Sequence, residues 1–391
     1  MPYTLYLKKN EEKRIISGHP WVYANEVAKI EGKDKNGTLA TVRDFNGRFI
    51  GRGFINHLSK IIVRIISRNE DEVIDQTFFE NRIQKAVSLR QKLGYDNCYR
   101  AVFAEADNLP GLIVDKYADV LSVQILSLGM EVNRDKIINA LIKIFNPKGI
   151  YERSDVAVRK KEGLEEKKGV IYGEFDTKVV INENGIKMLV DVENGQKTGY
   201  FLDQKHNRYA LRKYCMDATV LDCFCNSGGF SLNASLGGAK SVIACDISKQ
   251  ALDTVEENAK LNGFTNVNAI QADVFEKLRE YRKEGRKFDV IVLDPPAFTK
   301  SKDTGKEGYK GYKDINIQAL KLLTPNGILI TCSCSQHLTV NLFNDMIKES
   351  LMQAGVQAKM LEFRVQSRDH GTLIGLDEGL YLKVAVLALV R

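Results

Sequence analysis

Beyond residue 215 the chain repeats one pattern, a short apolar run ending on polar residues and then a helix-length stretch. Runs at 220–224, 241–246, 268–271, 288–293 and 328–331 read as buried strands, and an apolar run at 381–390 reads as one more. Residues 230–236 read as helix. Ser248 is placed to cap a second helix that reaches Asn262 and stops at Gly263, with Leu252, Val255 and Ala259 on its apolar face. Pro325, Asn326 and Gly327 read as a turn before the fifth run. Repetition of this kind predicts an α/β fold, a right-handed parallel Rossmann-like sheet with helices on both faces. Such sheets place their chemistry at the carboxyl ends of their strands.

Those ends carry informative residues. The run 288–293 leads into Asp294-Pro295-Pro296-Ala297-Phe298, and the run 328–331 leads into Cys332-Ser333-Cys334-Ser335. A carboxylate on a rigid Pro-Pro turn beside a thiol is what carbon methylation of a pyrimidine requires. The first strand ends in Asp222-Cys223-Phe224-Cys225-Asn226-Ser227-Gly228, a turn whose glycine lets a ligand approach the backbone. It lacks the dinucleotide fingerprint, so no pyrophosphate cradle is implied. Asp246, Asp273 and Asp294 close later strands. Aligned carboxylates repel a polyphosphate and suit a cation bearing ribose hydroxyls and an adenine amino group, which describes S-adenosylmethionine. Any one of them could equally be a helix N-cap.

The 391 residues allow two or three domains. Residues 1–70 hold thirteen Lys or Arg against seven Asp or Glu, so +6 of the net +7 lies there. That concentration suggests a polyanion-binding module, with a merely solvated basic face as the bland reading. Residues 39–42 and 61–66 are strand-like and Asn46-Gly47 marks a hairpin turn. Lys8, Lys9, Lys13, Arg14, His19, Trp21 and Tyr23 mix cations with aromatics as nucleic-acid surfaces do, although Trp21 serves equally well as a core anchor. Between 71 and 184 a small α+β segment is expected, with helices at 78–93 and 133–144 and strands at 112–114 and 120–126. The charge run 159–168 reads as a solvated loop. No run approaches a membrane span and the opening residues carry no apolar signal region, so the seven cysteines are expected to be reduced in the cytoplasm. The Cys223-x-Cys225 and Cys332-x-Cys334 spacings are too tight for ordinary zinc pairs, so no metal is expected.

The motif set Gly195-Gln196-Lys197-Thr198-Gly199-Tyr200-Phe201-Leu202-Asp203-Gln204, Asp222-Cys223-Phe224, Asp294-Pro295-Pro296-Ala297-Phe298, Gly311-Tyr312-Lys313-Asp314-Ile315-Asn316 and Ser333-Cys334-Ser335 resembles one group closely. That group is the bacterial large-subunit rRNA 5-methylcytosine methyltransferases, class I S-adenosylmethionine-dependent enzymes with an N-terminal PUA domain. The resemblance covers essentially the whole chain. It implies a PUA-like RNA-binding domain at 1–70, a linking domain at 71–184 and a methyltransferase domain at 185–391. It also implies ribosomal RNA as partner, no membrane, and allows a homodimer. Asp246 would hold the ribose hydroxyls and Asp273 the adenine amino group, with Ile247 and Val274 beside them. The loop holding Asp222, Phe224, Asn226 and Gly228 would wrap the methionine part, and Gln204 would reach its polar end. Phe224 and Asn226 depart from the glycines common at those positions in the wider superfamily.

Cytosine C5 becomes nucleophilic once a thiolate adds to C6, and a carboxyl group at N3 stabilises the charge that appears there. The resemblance assigns the thiol to Cys334 and Asp294 has the N3 role; Cys332, set on the same face by strand alternation if the strand persists, is the fallback. Cys334 precedes a helix expected near Thr339, whose N-terminus favours a thiolate. Pro295, Phe298, Lys310 and Tyr312 are the substrate-contact candidates, Pro295 in the Pro-Pro turn, Phe298 by stacking, and Lys310 and Tyr312 along a basic loop, 299–313, that holds Lys300, Lys302, Lys306, Lys310 and Lys313. The base that removes the C5 proton is unassigned, with His337 or a water as candidates. Exocyclic-nitrogen methylation, 5-methyluridine formation and a non-catalytic RNA-binding assembly factor stay open as alternatives.

Overall fold

The computed structural model describes residues 1–298 and 305–390. They form two compact units. One takes in 1–181, 190–202 and 368–379; the other takes in 182–189, 203–367 and 380–391.

In the first unit, Tyr3–Leu7, Trp21–Tyr23, Val27–Glu31, Leu39–Arg43, Phe49–Ile55 and Ile61–Ser67 make a six-stranded sheet. Leu39–Arg43 and Phe49–Ile55 pair antiparallel across the expected turn, where Gly47 has φ +86°. Leu5, Leu7, Val22, Val42, Ile55 and Val63 are completely buried there. Trp21 is an anchor. Its indole N–H donates to Glu105 Oε1 at 2.9 Å and the Arg64 guanidinium lies over its ring. His19 is buried and Arg14 pairs with Glu26 at 2.6 Å, so of the expected basic-aromatic set Lys8, Lys9 and Lys13 are the exposed cations.

The same unit holds a five-stranded sheet of Lys167–Gly173, Gly149–Ser154, Val120–Ile125, Leu112–Tyr117 and Cys98–Phe103, in that order. Helices Gln76–Lys92 and Arg134–Phe145 cover it through Phe79, Ile83, Ile137 and Leu141. The expected solvated run at 159–168 holds for Lys160, Lys161 and residues 165–168, which are exposed, but not for Arg159 and Glu162. Arg159 is 1% exposed, pairs with Glu131 at 2.9 Å and donates to the Ile125 and Glu165 carbonyls. Glu162 is buried as well, accepting from Asn56 Nδ2, Ser59 Oγ and Arg64 Nη2. These charges are inside because each has partners that replace water.

In the second unit the strands are β1 (Thr219–Cys223), β2 (Ser241–Asp246), β3 (Val267–Gln271), β4 (Phe288–Leu293), β5 (Leu323–Ser333), β6 (Ala358–Arg364) and β7 (Lys383–Leu389). They form one sheet in the order β3-β2-β1-β4-β5-β7-β6. Strands β1 to β5 are parallel; β7 runs antiparallel to both neighbours. The intervening helices are α1 (Gly229–Leu236), α2 (Lys249–Leu261), α3 (Val274–Lys283), α4 (Gly305–Leu322) and α5 (Val340–Ala354). Val290 to Leu293 are buried completely or nearly so, each worth about 1.5–3 kcal/mol over an exposed position. That burial fixes a register in which Cys223, Leu293 and Thr331 stand side by side. Ser248 caps α2 as expected, accepting from Ala251 N.

Two expectations change here. Pro325 to Gly327 lie within β5 as a bulge, since Phe288 pairs with Leu323 but Val290 pairs with Ile328, and Asn326 takes φ +63°. The supposed basic loop is helical from Gly305, because Tyr312, Ile315, Ala319 and Leu322 give it an apolar face. Thr299, Lys300 and Lys302 lie outside the described residues.

Candidate active site

The register decides what gathers at the sheet's carboxyl edge. With Cys223, Leu293 and Thr331 in line, the next residues on the three central strands are Phe224, Asp294 and Cys332. Asp294 is half buried, and its Oδ1 accepts from Gln204 Nε2 at 2.9 Å. Gln204 is itself buried, and its Oε1 accepts from Asn207 Nδ2 at 2.7 Å. Both ends of this amide are therefore engaged by protein, with one end orienting Asp294.

Asp222 is completely buried on β1. Its Oδ2 accepts from Ser231 N at 2.9 Å and Ser231 Oγ at 2.6 Å, while Oδ1 has no partner among the described residues. Burial, reinforced by the Asp294 and Asp246 charges, pushes its carboxyl up to about 7. The turn that follows explains the two departures from glycine. Phe224 has φ +62° and Asn226 φ +49°, both left-handed. Asn226 is held there from both sides: its N–H donates to Asp246 Oδ2 at 2.9 Å and its own Oδ1 accepts from Ser227 N at 2.8 Å. At Gly228, φ is +83° and an added Cβ would meet Val255 Cγ1 at 3.1 Å, so only glycine fits without strain.

Asp246 also accepts from Ser248 N at 2.9 Å, which fixes its carboxylate at the head of α2. Ile247 beside it is 68% exposed, an apolar surface next to a carboxylate. Asp273 is exposed and caps α3 through Oδ1, accepting from Phe275 N and Glu276 N. Val274 turns its side chain into the core. Three mutually repelling carboxylates, Asp222, Asp246 and Asp294, with a buried oxygen unpartnered, form an environment that a cation would relieve.

The two candidate thiols differ sharply. Of the seven cysteines, all are buried except Cys334, which is partly exposed. Cys332 is fully buried among Val290, Val292, Ile330 and Val384, and burial holds its thiol well above the ordinary value. The strand ends at Ser333, so the alternation that would set both sulfurs on one face does not continue. Cys332 is accordingly a core residue. Helix α5 follows Cys334, with Thr339 Oγ1 capping it by accepting from Leu342 N.

The substrate-contact candidates divide as well. Tyr312 is a correction: it is completely buried, with its hydroxyl 2.9 Å from Ser335 Oγ, because α4 turns it inward. Pro295 is buried too. Phe298 packs against the rings of Phe224, Phe275 and Tyr312, with centroids 6.2, 5.7 and 4.7 Å away. Lys306 and Lys310 are exposed, whereas Lys313 pairs with Glu349 at 2.9 Å. His337 is exposed.

One residue escaped sequence reasoning. Lys383 is 2% exposed, lies on β7 opposite Ser333, and donates from Nζ to the Ser335 carbonyl at 2.7 Å and the Tyr381 carbonyl at 2.9 Å. Its signal was available: a single cation within a continuous apolar strand must be paired to be buried.

Residues 165–359 match the S-adenosylmethionine-dependent methyltransferase family, and residues 5–68 match the PUA-like domain family. The fold is shared with the crystal structure of SMU.776 complexed with SAH, at a TM-score of 0.85 and 22% identity over 99% of this chain and 100% of that one. The class is thus an S-adenosylmethionine-dependent methyltransferase carrying a PUA-like domain. The ribosomal RNA large subunit methyltransferase I of Aeromonas salmonicida is 45% identical over 390 residues, covering 98% of both chains. That of Vibrio cholerae is 44% identical over 388 residues, covering 97% of each. The chain belongs to the ribosomal RNA large subunit methyltransferase I family. Among the described residues no helix is long and apolar enough to cross a membrane.

Proposed function

We propose that the protein methylates C5 of a cytosine in large-subunit ribosomal RNA, in the cytoplasm, through a covalent Cys334 adduct. One observation carries the reading: Cys334 is the single cysteine with solvent access, and it follows the strand next to the one that Asp294 follows. The Cys334 sulfur adds to C6 as a thiolate, and Asp294 hydrogen-bonds N3 where charge collects. Bound S-adenosylmethionine supplies the methyl group. A base then removes the C5 proton and the C6–S bond breaks, releasing the thiolate. Asp246 would hold the ribose hydroxyls, Asp273 the adenine amino group, Ile247 the adenine face, and the 222–228 turn the methionine part. Residues 1–70 act as the RNA-binding domain, 71–184 as the linking domain and 185–391 as the catalytic domain.

The test is covalent trapping. RNA containing 5-fluorocytosine keeps the methylated adduct, because fluorine at C5 cannot leave as a proton. Mass mapping should find it on Cys334, and Cys334→Ser should bind S-adenosylmethionine while failing to methylate. Attachment at another residue would reassign the nucleophile. An active enzyme that forms no adduct would point to nitrogen methylation, and adducts with 5-fluorouridine RNA alone to 5-methyluridine.

A further inference from the structure

The Lys383 ammonium is out of water, and burial lowers the amine to about 8, the neighbouring Cys334 working in the opposite sense. Its two hydrogen bonds go to neutral carbonyls, of which one belongs to Ser335, the residue after Cys334. Strand β7 runs antiparallel beside β5 with Ser333 opposite Lys383, so a lysine here reaches past the end of β5 to the segment bearing the sulfur. Buried ammonium ions ordinarily face a carboxylate. This one is held against the residue that follows a thiol.

We propose that Lys383 is a positioning residue for the methyl-transfer reaction, whose amine takes the Cys334 proton and holds the sulfur as a thiolate. This rests on Cys334 being the nucleophile. The step is an internal proton transfer: the S–H bond breaks, an N–H bond forms, and the thiolate–ammonium pair replaces a neutral thiol and amine with no change in net charge. The same ammonium then faces the sulfur when the C6–S bond breaks and the thiolate leaves. Lysine beside cysteine is a recognised means of raising the thiolate fraction near neutral pH. The carbonyl hydrogen bonds to Ser335 and Tyr381 hold the amine in place.

Titratable groups around the pair include Tyr312 from α4, Cys332 on β5, Asp294 after β4 and Asp222 on β1. Tyr312 and Cys332 are both raised by burial and so are neutral over the working range. Asp222, at about 7, acts on Cys332 and is acted on by Asp294, whereas Lys383 is a cation acting on Cys334. A change in the titration of Cys334 on replacing Lys383 therefore reports on Lys383.

The experiment alkylates the full-length protein with iodoacetamide from pH 5 to 10 and follows modification of Cys334 by peptide mass, the other six cysteines being buried. Wild type should show a midpoint below that of a free thiol, about 8.5. Lys383→Met should move it up by at least about one pH unit, with Lys383→Arg largely restoring it. S-adenosylmethionine binding by each variant establishes that it is folded. If Lys383→Met does not fold, the wild-type midpoint alone decides: a value at or above that of a free thiol overturns the proposal. An unchanged midpoint in folded Lys383→Met overturns it too. Adduct formation with 5-fluorocytosine RNA separates the two readings. A shifted midpoint with no Cys334 adduct in an active enzyme would refute the nucleophile and with it the catalytic role of Lys383. A Cys334 adduct with an unmoved midpoint would refute Lys383 alone.

Discussion

Gln204 donates its amide N–H to Asp294 Oδ1 at 2.9 Å, joining residues 90 positions apart. The contact orients one Asp294 oxygen and explains why a glutamine stands just before the helix at Lys205–Leu211. We predict that Gln204→Leu lowers the methyl-transfer rate roughly 10- to 100-fold, as expected for a hydrogen bond to a charged group worth about 1.5–3 kcal/mol. Steady-state kinetics and cofactor titration separate the alternatives. Loss in kcat identifies a residue that orients Asp294; a weaker S-adenosylmethionine Kd with unaltered kcat would return it to the cofactor.

Substitution can separate the helix cap that Asp273 forms from the cofactor contact proposed for it. As the cap of α3 its loss should cost about 0.5–2 kcal/mol of stability. Serine also caps helices, so Asp273→Ser is expected to preserve thermal stability while weakening S-adenosylmethionine binding. Asp273→Ala should lose both. Equal cofactor affinity in wild type and Asp273→Ser would leave Asp273 a cap and nothing more.

How much of the molecule is legible in its sequence depends on range. The strands from 219 to 333 are legible because continuous apolar runs have few other uses, and Ser248 and Gly263 bracket α2 by local chemistry alone. The placement of Asp294 and Cys334 just after adjacent strands is legible because a fold of this class brings strand ends together. The Gln204–Asp294 contact is not, since nothing local to either residue demands it. Arg159 is hidden for the same reason: its carboxylate partner, Glu131, is 28 positions away, and an unpaired charge run reads as solvated. Tyr312 is a different case. Its spacing with Ile315 and Ala319 already describes a helix face, but the surrounding lysines make the segment resemble a basic loop.

Exposed Lys8, Lys9 and Lys13 are the cleanest probe of RNA binding in the basic N-terminal segment. Removing residues 1–70 outright would also strip Glu162 of Asn56, Ser59 and Arg64 and uncover the surface they pack on. Replacing the three lysines with alanine avoids that. RNA affinity is expected to fall, and the slope of log affinity against log salt to shrink by up to roughly 2, given about 0.7 per single-strand phosphate contact. An unaltered slope would remove these lysines from the RNA interface.

Asp222 gives the protein a pH dependence of stability with a definite sign. Its folded carboxyl titrates at about 7, above the ordinary unfolded value near 3.9. Between those values the folded chain binds more protons than the unfolded chain, so stability falls as pH rises through the interval and levels off above it. The whole effect amounts to at most about 4 kcal/mol, since each pH unit of that interval contributes about 1.4 kcal/mol. Asp222→Asn retains an oxygen to accept from Ser231 but cannot ionise. The variant should therefore gain on wild type steadily from pH 4 to pH 7, whatever its offset at pH 4. Glu362, held at about 2 and counted in both proteins, cancels from that difference. Denaturant unfolding at pH 4, 5, 6, 7 and 8 measures it. A difference independent of pH would mean that Asp222 is ionised throughout. The paired Ser231 donors would then outweigh burial and the charges of Asp294 and Asp246.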